Sequence, residues 1–372
     1  MSATTRIALK ALAISASSLA LMHTAPAMAQ VEEIIVTSQK VEENVQDVPI
    51  AITAVSGDRL TQAVVFSLEN ISTVVPSVTF RKGTTSANSA IVMRGVGTIT
   101  FSVAAEPSVS TVVDGVVLSR SGQSFISLLD IERIEVLKGP QSTLYGKNAT
   151  AGVISVISER PASEFGGSAE ASISNIEGGR NATAMRFAGS LTGPLSDRVR
   201  VRLTGVYYDA GPQFRNLTPA AEQPNEMKRY ALRGQVEFDI ADSVTVNLTG
   251  ARSEVLDNNG TNSDWFRGTP TEPSFLLDNN AALNARFGVT ACPDNNPTNR
   301  VICTTDPNRS NSTFDMASAT VTADLGLATV TSITGWSQYK SGLLATDIDQ
   351  VSLPLFTFRD TQQGDTFSQE VR

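Results

Sequence analysis

The second half of the chain alternates apolar and polar residues with a period of two, and this pattern limits the possible folds more than any other feature. In RVRVRLTGVYY, Val201 and Leu203 alternate with Arg200 and Arg202, and YALRGQVEFDI and SVTVNLTG repeat the scheme. Segments of about ten residues with this alternation, separated by turns, are typical of an outer-membrane β-barrel. A soluble β-sandwich also alternates, so the pattern leaves that alternative open.

The connections and the aromatic residues favour the barrel. SLTGPLSDRV and DIADSV read as tight turns, whereas residues 257–312 form a long, polar, Asn-rich segment. Short turns at one end and long loops at the other are typical of outer-membrane barrels. Aromatic residues at the strand ends suit the girdle at a membrane interface: Tyr207, Tyr208, Tyr230, Trp336 and Tyr339.

The N-terminus has the layout of a secretory signal peptide. Arg6 and Lys10 precede the apolar run ALAISASSLALM, and Ala27-Met28-Ala29 supplies small residues before a predicted cleavage site at Ala29–Gln30. A buried N-terminal helix is the alternative. Export to the cell outer membrane follows from the first interpretation.

Residue types exclude several classes of function. His23 is the only histidine and lies within the predicted signal peptide, so the exported chain has no histidine for a catalytic triad or a metal site. The net charge of -8 argues against a nucleic-acid partner. We therefore expect no enzyme activity, no cofactor and no bound metal. Cys292 and Cys303 predict a disulfide in an oxidising compartment, with two unpaired thiols as the alternative.

Residues 45–160 mix strand and helix signals and predict a small α+β domain. A helix capped by Asp58 is predicted with Leu60, Val64, Leu68 and Ile71 on one stripe. Asp114-Gly115 divides a Val-rich run, as expected for a hairpin turn.

The stretch KGPQSTLYGKNATAG has the composition of a phosphate-binding loop but not its spacing. Such a loop requires Gly, four residues, then Gly-Lys-Ser/Thr. Here Gln141 stands five residues before Gly146, and Asn148 follows Lys147. The glycines are better interpreted as turn formers between two strands.

Three stretches resemble the TonB-dependent outer-membrane receptors: IVMRGVG (91–97), VSTVVDGVVL (109–118) and LLDIERIEVLKGPQSTLYGKNATAGVISVISERP (128–161). The last is similar to the plug-domain signature of that family nearly position for position. The resemblance implies an α+β plug domain followed by antiparallel transmembrane β-barrel strands. It also implies the domains: signal peptide 1–29, TonB box and tether 30–44, plug 45–160, and the N-terminal part of the barrel 161–372. The residues of the signature turn are Gly139, Pro140, Tyr145 and Gly146.

The segment EEIIVTSQK (32–40) resembles a TonB box in type and place. Its β-branched residues could add as a strand to the sheet edge of a partner. The family implies that this partner is the periplasmic domain of TonB, energised by an inner-membrane complex. An ordinary first strand of the plug sheet is the alternative. The implied TonB-interaction residues are Glu33, Ile34, Ile35, Val36 and Thr37.

The resemblance implies energised uptake of a scarce small molecule, with an iron–siderophore complex as the first expectation. Corrinoids, oligosaccharides or aromatic compounds are alternative cargoes, and a non-transporting structural or adhesive barrel is an alternative function. Residues 82–89 and 98–108 are the implied ligand-binding loops, although they could equally be plain connections. Outer-membrane lipid is the other expected partner.

The family also implies charge pairing between plug arginines and barrel glutamates. We predict that Arg94 and Arg133 face Glu370, with solvated charges in the lumen as the alternative. About eight strands are predicted after residue 160, whereas plugged transporters have about 22. Since eight strands cannot close around such a plug, we expect an incomplete barrel and a chain that is a piece of a longer receptor.

Overall fold

The computed structural model describes residues 34–81, 89–98, 105–124, 128, 130–176, 182–212, 215–216, 226–257, 285–286, 301–302, 309–347 and 357–372. The chain divides into two compact units, residues 1–35 and 36–372. Among the described residues, no helix has the length and apolar character needed to cross a membrane.

The first part of the fold is a small α+β domain. In chain order its strands are β1 (Ile35–Val36), β2 (Glu43–Asn44), β3 (Ile52–Ser56), β4 (Val78–Arg81), β5 (Ala90–Met93), β6 (Val109–Val113), β7 (Val116–Leu118), β8 (Ile131–Lys138) and β9 (Gly152–Ser158). Its helices are α1 (Gly57–Gln62), a 3-10 helix (Leu68–Thr73), a second 3-10 helix (Ser121–Ser124) and α2 (Ser142–Tyr145).

A five-stranded sheet in the order β3-β8-β9-β6-β7 forms the centre of this domain. β6 and β9 are parallel and the other neighbours are antiparallel. All five residues of β6 are buried, as its Val-rich sequence favours in a strand covered on both faces. The predicted hairpin turn is confirmed, because Asp114 and Gly115 join β6 to β7 with φ angles of 48° and 84°.

The helix predicted from Asp58 onward is wrong in its cap and its length. Ser56 is the N-cap, and its hydroxyl accepts a hydrogen bond from the Arg59 backbone N–H at 3.4 Å. α1 ends at Gln62, and Val64 has a φ of 57°, a left-handed conformation that no helix continues through. Val64 is exposed as a result, while the stripe resumes only in the 3-10 helix that begins at Leu68.

The second part of the fold is a long antiparallel sheet. Its strands are β10 (Gly166–Ile176), β11 (Ala182–Ser196), β12 (Val199–Ala210), β14 (Met227–Ala241), β15 (Val244–Asp257), β17 (Ser310–Asp324), β18 (Thr329–Asp347) and β19 (Thr357–Val371). These strands pair in chain order, and β10 and β19 are the two edges. β13 (Arg215–Asn216) and β16 (Val301–Ile302) form a separate parallel pair. The eight predicted strands of an incomplete barrel are therefore confirmed.

The alternation predicted for these strands separates two faces. The outward face exposes large apolar side chains, and the inward face buries polar ones against the plug domain. Outward residues include Leu191, Leu203, Leu232, Trp336 and Phe367. Inward residues include Arg186, Arg229, Gln235, Glu237 and Thr249. This is the arrangement of a barrel wall with lipid outside and a polar interior.

The main hydrophobic core lies between the central sheet and this wall. Ile134 and Val136 of β8 pack in one cluster with Leu68 of the first 3-10 helix, and Phe314 and Met316 of β17 belong to the same cluster. The domain is therefore seated on the inner face of the sheet by apolar as well as polar contacts.

Candidate functional site

The segment that follows β1 is docked against the central sheet. Val36 is fully buried and Ser38 is nearly so. The Thr37 backbone N–H donates to Glu135 Oε1 at 2.8 Å, and the Tyr145 hydroxyl donates to the Ser38 carbonyl at 2.9 Å. Residues 36–38 are thus held by β8 on one side and by α2 on the other.

Arg133 lies at the centre of this contact. Its Nε donates to Glu135 Oε1 at 2.8 Å, its Nη2 donates to Thr37 Oγ1 at 3.3 Å, and Nη1 pairs with Glu132. One guanidinium therefore links two acids of its own strand to the docked segment.

Lys40 connects the same segment to the barrel wall. Its Nζ is 2.9 Å from Glu370 Oε2 near the end of β19, and it lies over the ring of Tyr145, 4.4 Å from the centroid. Burial, together with the negative charges of Glu135 and Glu370, raises the pKa of Tyr145. The phenol therefore remains a neutral donor to the Ser38 carbonyl.

The predicted pairing of Arg94 and Arg133 with Glu370 differs from this arrangement. Among the described residues, Glu370 pairs with Lys40 and, at 3.8 Å, with Arg372. Arg133 is satisfied by acids one and two positions away in the sequence, so it needs no partner on the wall. Arg94 is exposed in a turn after β5, with a φ of 50°. The cation nearest to Glu370 is Lys40, which belongs to the N-terminal segment.

A second contact with the wall centres on Asp130. Arg202 of β12 donates to both of its carboxylate oxygens, Thr204 Oγ1 donates at 2.6 Å, and Arg233 Nη2 donates to the Asp130 backbone carbonyl at 2.7 Å. Burial alone would raise the pKa of Asp130, but the hydrogen bonds from Arg202 and Thr204 and the nearby positive charges outweigh burial and lower it. The Asp130 carboxylate therefore stays ionised at the contact between the plug domain and the inner face of the barrel wall.

Two more barrel arginines reach the first 3-10 helix and the residues before it. Arg229 Nη2 is 2.6 Å from Glu69 Oε2. The Arg186 guanidinium lies over the ring of Phe66, 3.8 Å from the centroid, and also pairs with Glu170 at 2.6 Å. On β11, β12 and β14 the domain is therefore held mainly by arginines.

Apart from the Lys40–Glu370 pair, the contacts described here on β18 and β19 are between neutral side chains. Ser119 Oγ is 2.8 Å from Thr366 Oγ1, and Gln123 Nε2 donates to Ser337 Oγ at 3.3 Å. The hairpin β6–β7 lies close to β18, because a Cβ added at Gly335 would be 2.7 Å from Val116 Cγ2. Charge pairs thus dominate at β11, β12 and β14, whereas close packing and neutral hydrogen bonds add to the Lys40–Glu370 pair at β18 and β19.

The signature turn contains two glycines in conformations that other residues rarely adopt. Gly139 has a φ of 114° and Gly146 a φ of 79°. Pro140 lies between β8 and α2, and Tyr145 is buried. The turn therefore returns the chain toward β9 and places the Tyr145 hydroxyl on the docked segment.

Sequence reasoning missed Lys40, Asp130, Glu135 and Arg202. Glu135 carried a usable signal, because an acid inside the apolar strand RIEVL must find a partner. The alternation placed Arg202 on the face opposite Val201 and Leu203, but it did not identify Arg202 as a contact with the plug. Several predicted residues lie outside the described part of the chain: the signal peptide, Glu33, Cys292, Cys303 and most of the loops 82–89 and 98–108.

A small α+β domain seated on the polar inner face of antiparallel, outwardly apolar strands defines a plugged outer-membrane barrel. The family model described as TonB-dependent Receptor Plug Domain matches residues 44–153. Residues 44–153 are therefore a plug domain of the TonB-dependent receptor family, whose members are receptors and transporters rather than enzymes.

Curated relatives match less than half of the chain in the two cases that follow. The pesticin receptor of Yersinia pestis is 31% identical over 148 residues, which cover 40% of this chain and 21% of that protein. The ferrioxamine B receptor of Salmonella typhimurium is 35% identical over 120 residues, covering 32% of this chain and 15% of that protein.

Solved structures share the fold over most of the chain. The ferric yersiniabactin uptake receptor from Yersinia pestis has a TM-score of 0.67 at 18% identity, covering 87% of this chain and 45% of that one. The ferripyoverdine receptor of Pseudomonas aeruginosa has a TM-score of 0.62 at 15% identity, covering 91% and 41%. The chain therefore spans less than half the length of these receptors.

Proposed function

We propose that the chain forms the plug domain and the first barrel strands of a receptor for energised uptake of a scarce small molecule across the outer membrane. The observation that best supports this function is the way the plug is held. Its contacts with the wall include separable charge pairs and hydrogen bonds, such as Glu69 with Arg229 and Asp130 with Arg202. A permanent stopper would gain more from a continuous apolar interface than from buried ion pairs.

The proposed energy source is the periplasmic domain of TonB, which binds residues 33–37 after export. Pairing of this segment with a sheet edge of TonB requires backbone donors. Ile35→Pro should abolish copurification with the TonB periplasmic domain and stop uptake, because proline removes a donor. Ile35→Thr is the matched control, since it keeps the donor and the β-branched side chain. Uptake by Ile35→Pro at normal surface abundance would contradict the assignment.

The proposed cargo is an iron–siderophore complex. Support comes from relatives named for ferrioxamine B and ferrienterobactin, and from one named as an iron-regulated outer membrane virulence protein. Cells that depend on this receptor should accumulate radioactive iron supplied with a siderophore, and a TonB-deficient strain should not. Uptake of a labelled corrinoid, oligosaccharide or aromatic compound in place of iron would assign the alternative cargo.

A non-transporting structural or adhesive barrel is the second candidate function. The described outward face resembles that of any membrane barrel and does not distinguish the two. Binding of the TonB periplasmic domain does distinguish them, because an adhesive barrel has no use for it.

Export and domain limits are part of the same proposal. Residues 1–29 act as the signal peptide, 30–44 as the TonB box and tether, 45–160 as the plug and 161–372 as barrel strands. Mass spectrometry of the mature N-terminus should find Gln30 first.

A further inference from the structure

Glu135 is the most deeply buried charged side chain at the docked segment. It lies in the middle of β8, between Ile134 and Val136, and is fully inaccessible to solvent. Oε1 accepts from Arg133 Nε, from the Thr37 backbone N–H and, at 3.3 Å, from Thr37 Oγ1. Oε2 has no hydrogen-bond partner among the described residues. This carboxylate therefore depends on Thr37 for a large share of its hydrogen bonds.

Withdrawal of Thr37 would leave the buried acid with Arg133 alone. A buried charge that loses donors becomes costly, because water no longer solvates it and the protein does so only in part. The need of Glu135 for hydrogen-bond donors therefore stabilises the docked position of residues 36–38. This contribution is separate from the apolar burial of Val36.

We infer that Glu135 is a positioning residue that keeps residues 36–38 docked, with Arg133 orienting its carboxylate. The two residues form an autoinhibitory clamp within the plug, which sets how often the N-terminal segment is released. Its consequence for transport rests on the proposed function, because release presents the adjoining residues to TonB. Docking itself does not depend on TonB and can be measured without it.

A cysteine at position 38 reports release directly. Ser38 is 1% exposed and its hydroxyl has no hydrogen-bond partner among the described residues, so Ser38→Cys loses no contact. The background carries Cys292→Ala and Cys303→Ala, which leaves one thiol. A maleimide added to the purified full chain should react slowly when the segment is docked, and the rate measures the released fraction.

Glu135→Gln is the informative variant, because it keeps the shape of the side chain and removes its charge. Hydrogen bonds to charged groups are stronger than neutral ones, so the labelling rate should rise about fivefold or more. Glu132→Gln is the matched control. Glu132 also pairs with Arg133, but its side chain is 42% exposed and has no hydrogen bond to Thr37 among the described residues. Its labelling rate should equal that of the parent.

A second variant avoids any disturbance of the plug core. Thr37→Val removes the Oγ1 contacts with Glu135 and Arg133 from the side of the segment and should also raise the rate. Equal rates in the parent, Glu135→Gln and Thr37→Val would overturn the inference. An equally large increase of the labelling rate in Glu132→Gln and Glu135→Gln would also overturn the inference, because the shared partner Arg133 would then account for the effect. If the labelling rates differ among the variants as expected but the chain does not bind TonB, the proposed function is contradicted and the clamp still stands.

Discussion

Arg202 of β12 donates to both carboxylate oxygens of Asp130, and this pair fixes the start of β8 to the barrel wall. Both side chains are largely buried, at 12% and 8% exposure. Asp130 also has a φ of 56°, in the left-handed region that Asp adopts more readily than most non-glycine residues. The charge pair and the backbone conformation therefore belong to one anchoring point.

Asp130→Asn should loosen the plug substantially. Removal of one partner leaves Arg202 buried with an uncompensated charge, and such losses cost about 3–5 kcal/mol. The check is the urea midpoint for loss of plug structure in detergent. Arg198→Ala is the control, because Arg198 pairs with a fully exposed Asp242 at the rim and its loss should not shift the midpoint. Equal midpoints in both variants would show that the Asp130 pair does not anchor the plug.

Acid should release the same anchor. The pKa of Asp130 is lowered in the folded chain, whereas an unfolded aspartate has a pKa of about 3.9. The stabilising contribution is therefore fully present above that unfolded value, and it is lost as the pH falls through the lower folded value. The urea midpoint of the parent chain, measured at successively lower pH from neutral, should therefore decrease in this acidic range.

Asp130→Asn supplies the control for the acid effect, because it has no carboxyl group to titrate at this site. Its midpoint should decline less steeply with acid than that of the parent. Parallel curves for the two proteins would assign acid sensitivity to other carboxylates.

The close packing of the hairpin β6–β7 against β18 can be tested in the same way. An added Cβ at Gly335 would lie 2.7 Å from Val116 Cγ2 and 2.8 Å from Ser368 Oγ, so Gly335→Ala forces the hairpin β6–β7 away from the wall. Overpacking of this kind costs about 1–3 kcal/mol. Gly342→Ala in the same strand meets nothing within 4 Å and is the control. A lower urea midpoint for Gly335→Ala alone is the expected result.

The sequence predicted the strands well, because burial with a period of two is a local property of each strand. For the same reason it placed Arg202 on the face opposite Leu203. Its assignment of Tyr339 to the membrane girdle is wrong, since Tyr339 is buried on the inner face beside Gly122. The sequence could not predict that Lys40 meets Glu370, since 330 positions separate them and no local pattern links them. The pairing predicted for Arg133 overlooked Glu132 and Glu135, which are nearer in sequence and satisfy it first.

A charge on the outward face should prevent stable insertion into lipid. Leu203 of β12 is 53% exposed on the face opposite Arg202 and Thr204, and a lysine at the bilayer midplane costs about 2–4 kcal/mol. Leu203→Lys should therefore reduce the free energy of unfolding measured by urea titration in lipid vesicles. Asn247→Lys is the control, because Asn247 pairs with the inward Glu237 across β14 and β15 and its side chain avoids lipid. If the two variants fold equally well in vesicles, the apolar outward face does not contact the membrane.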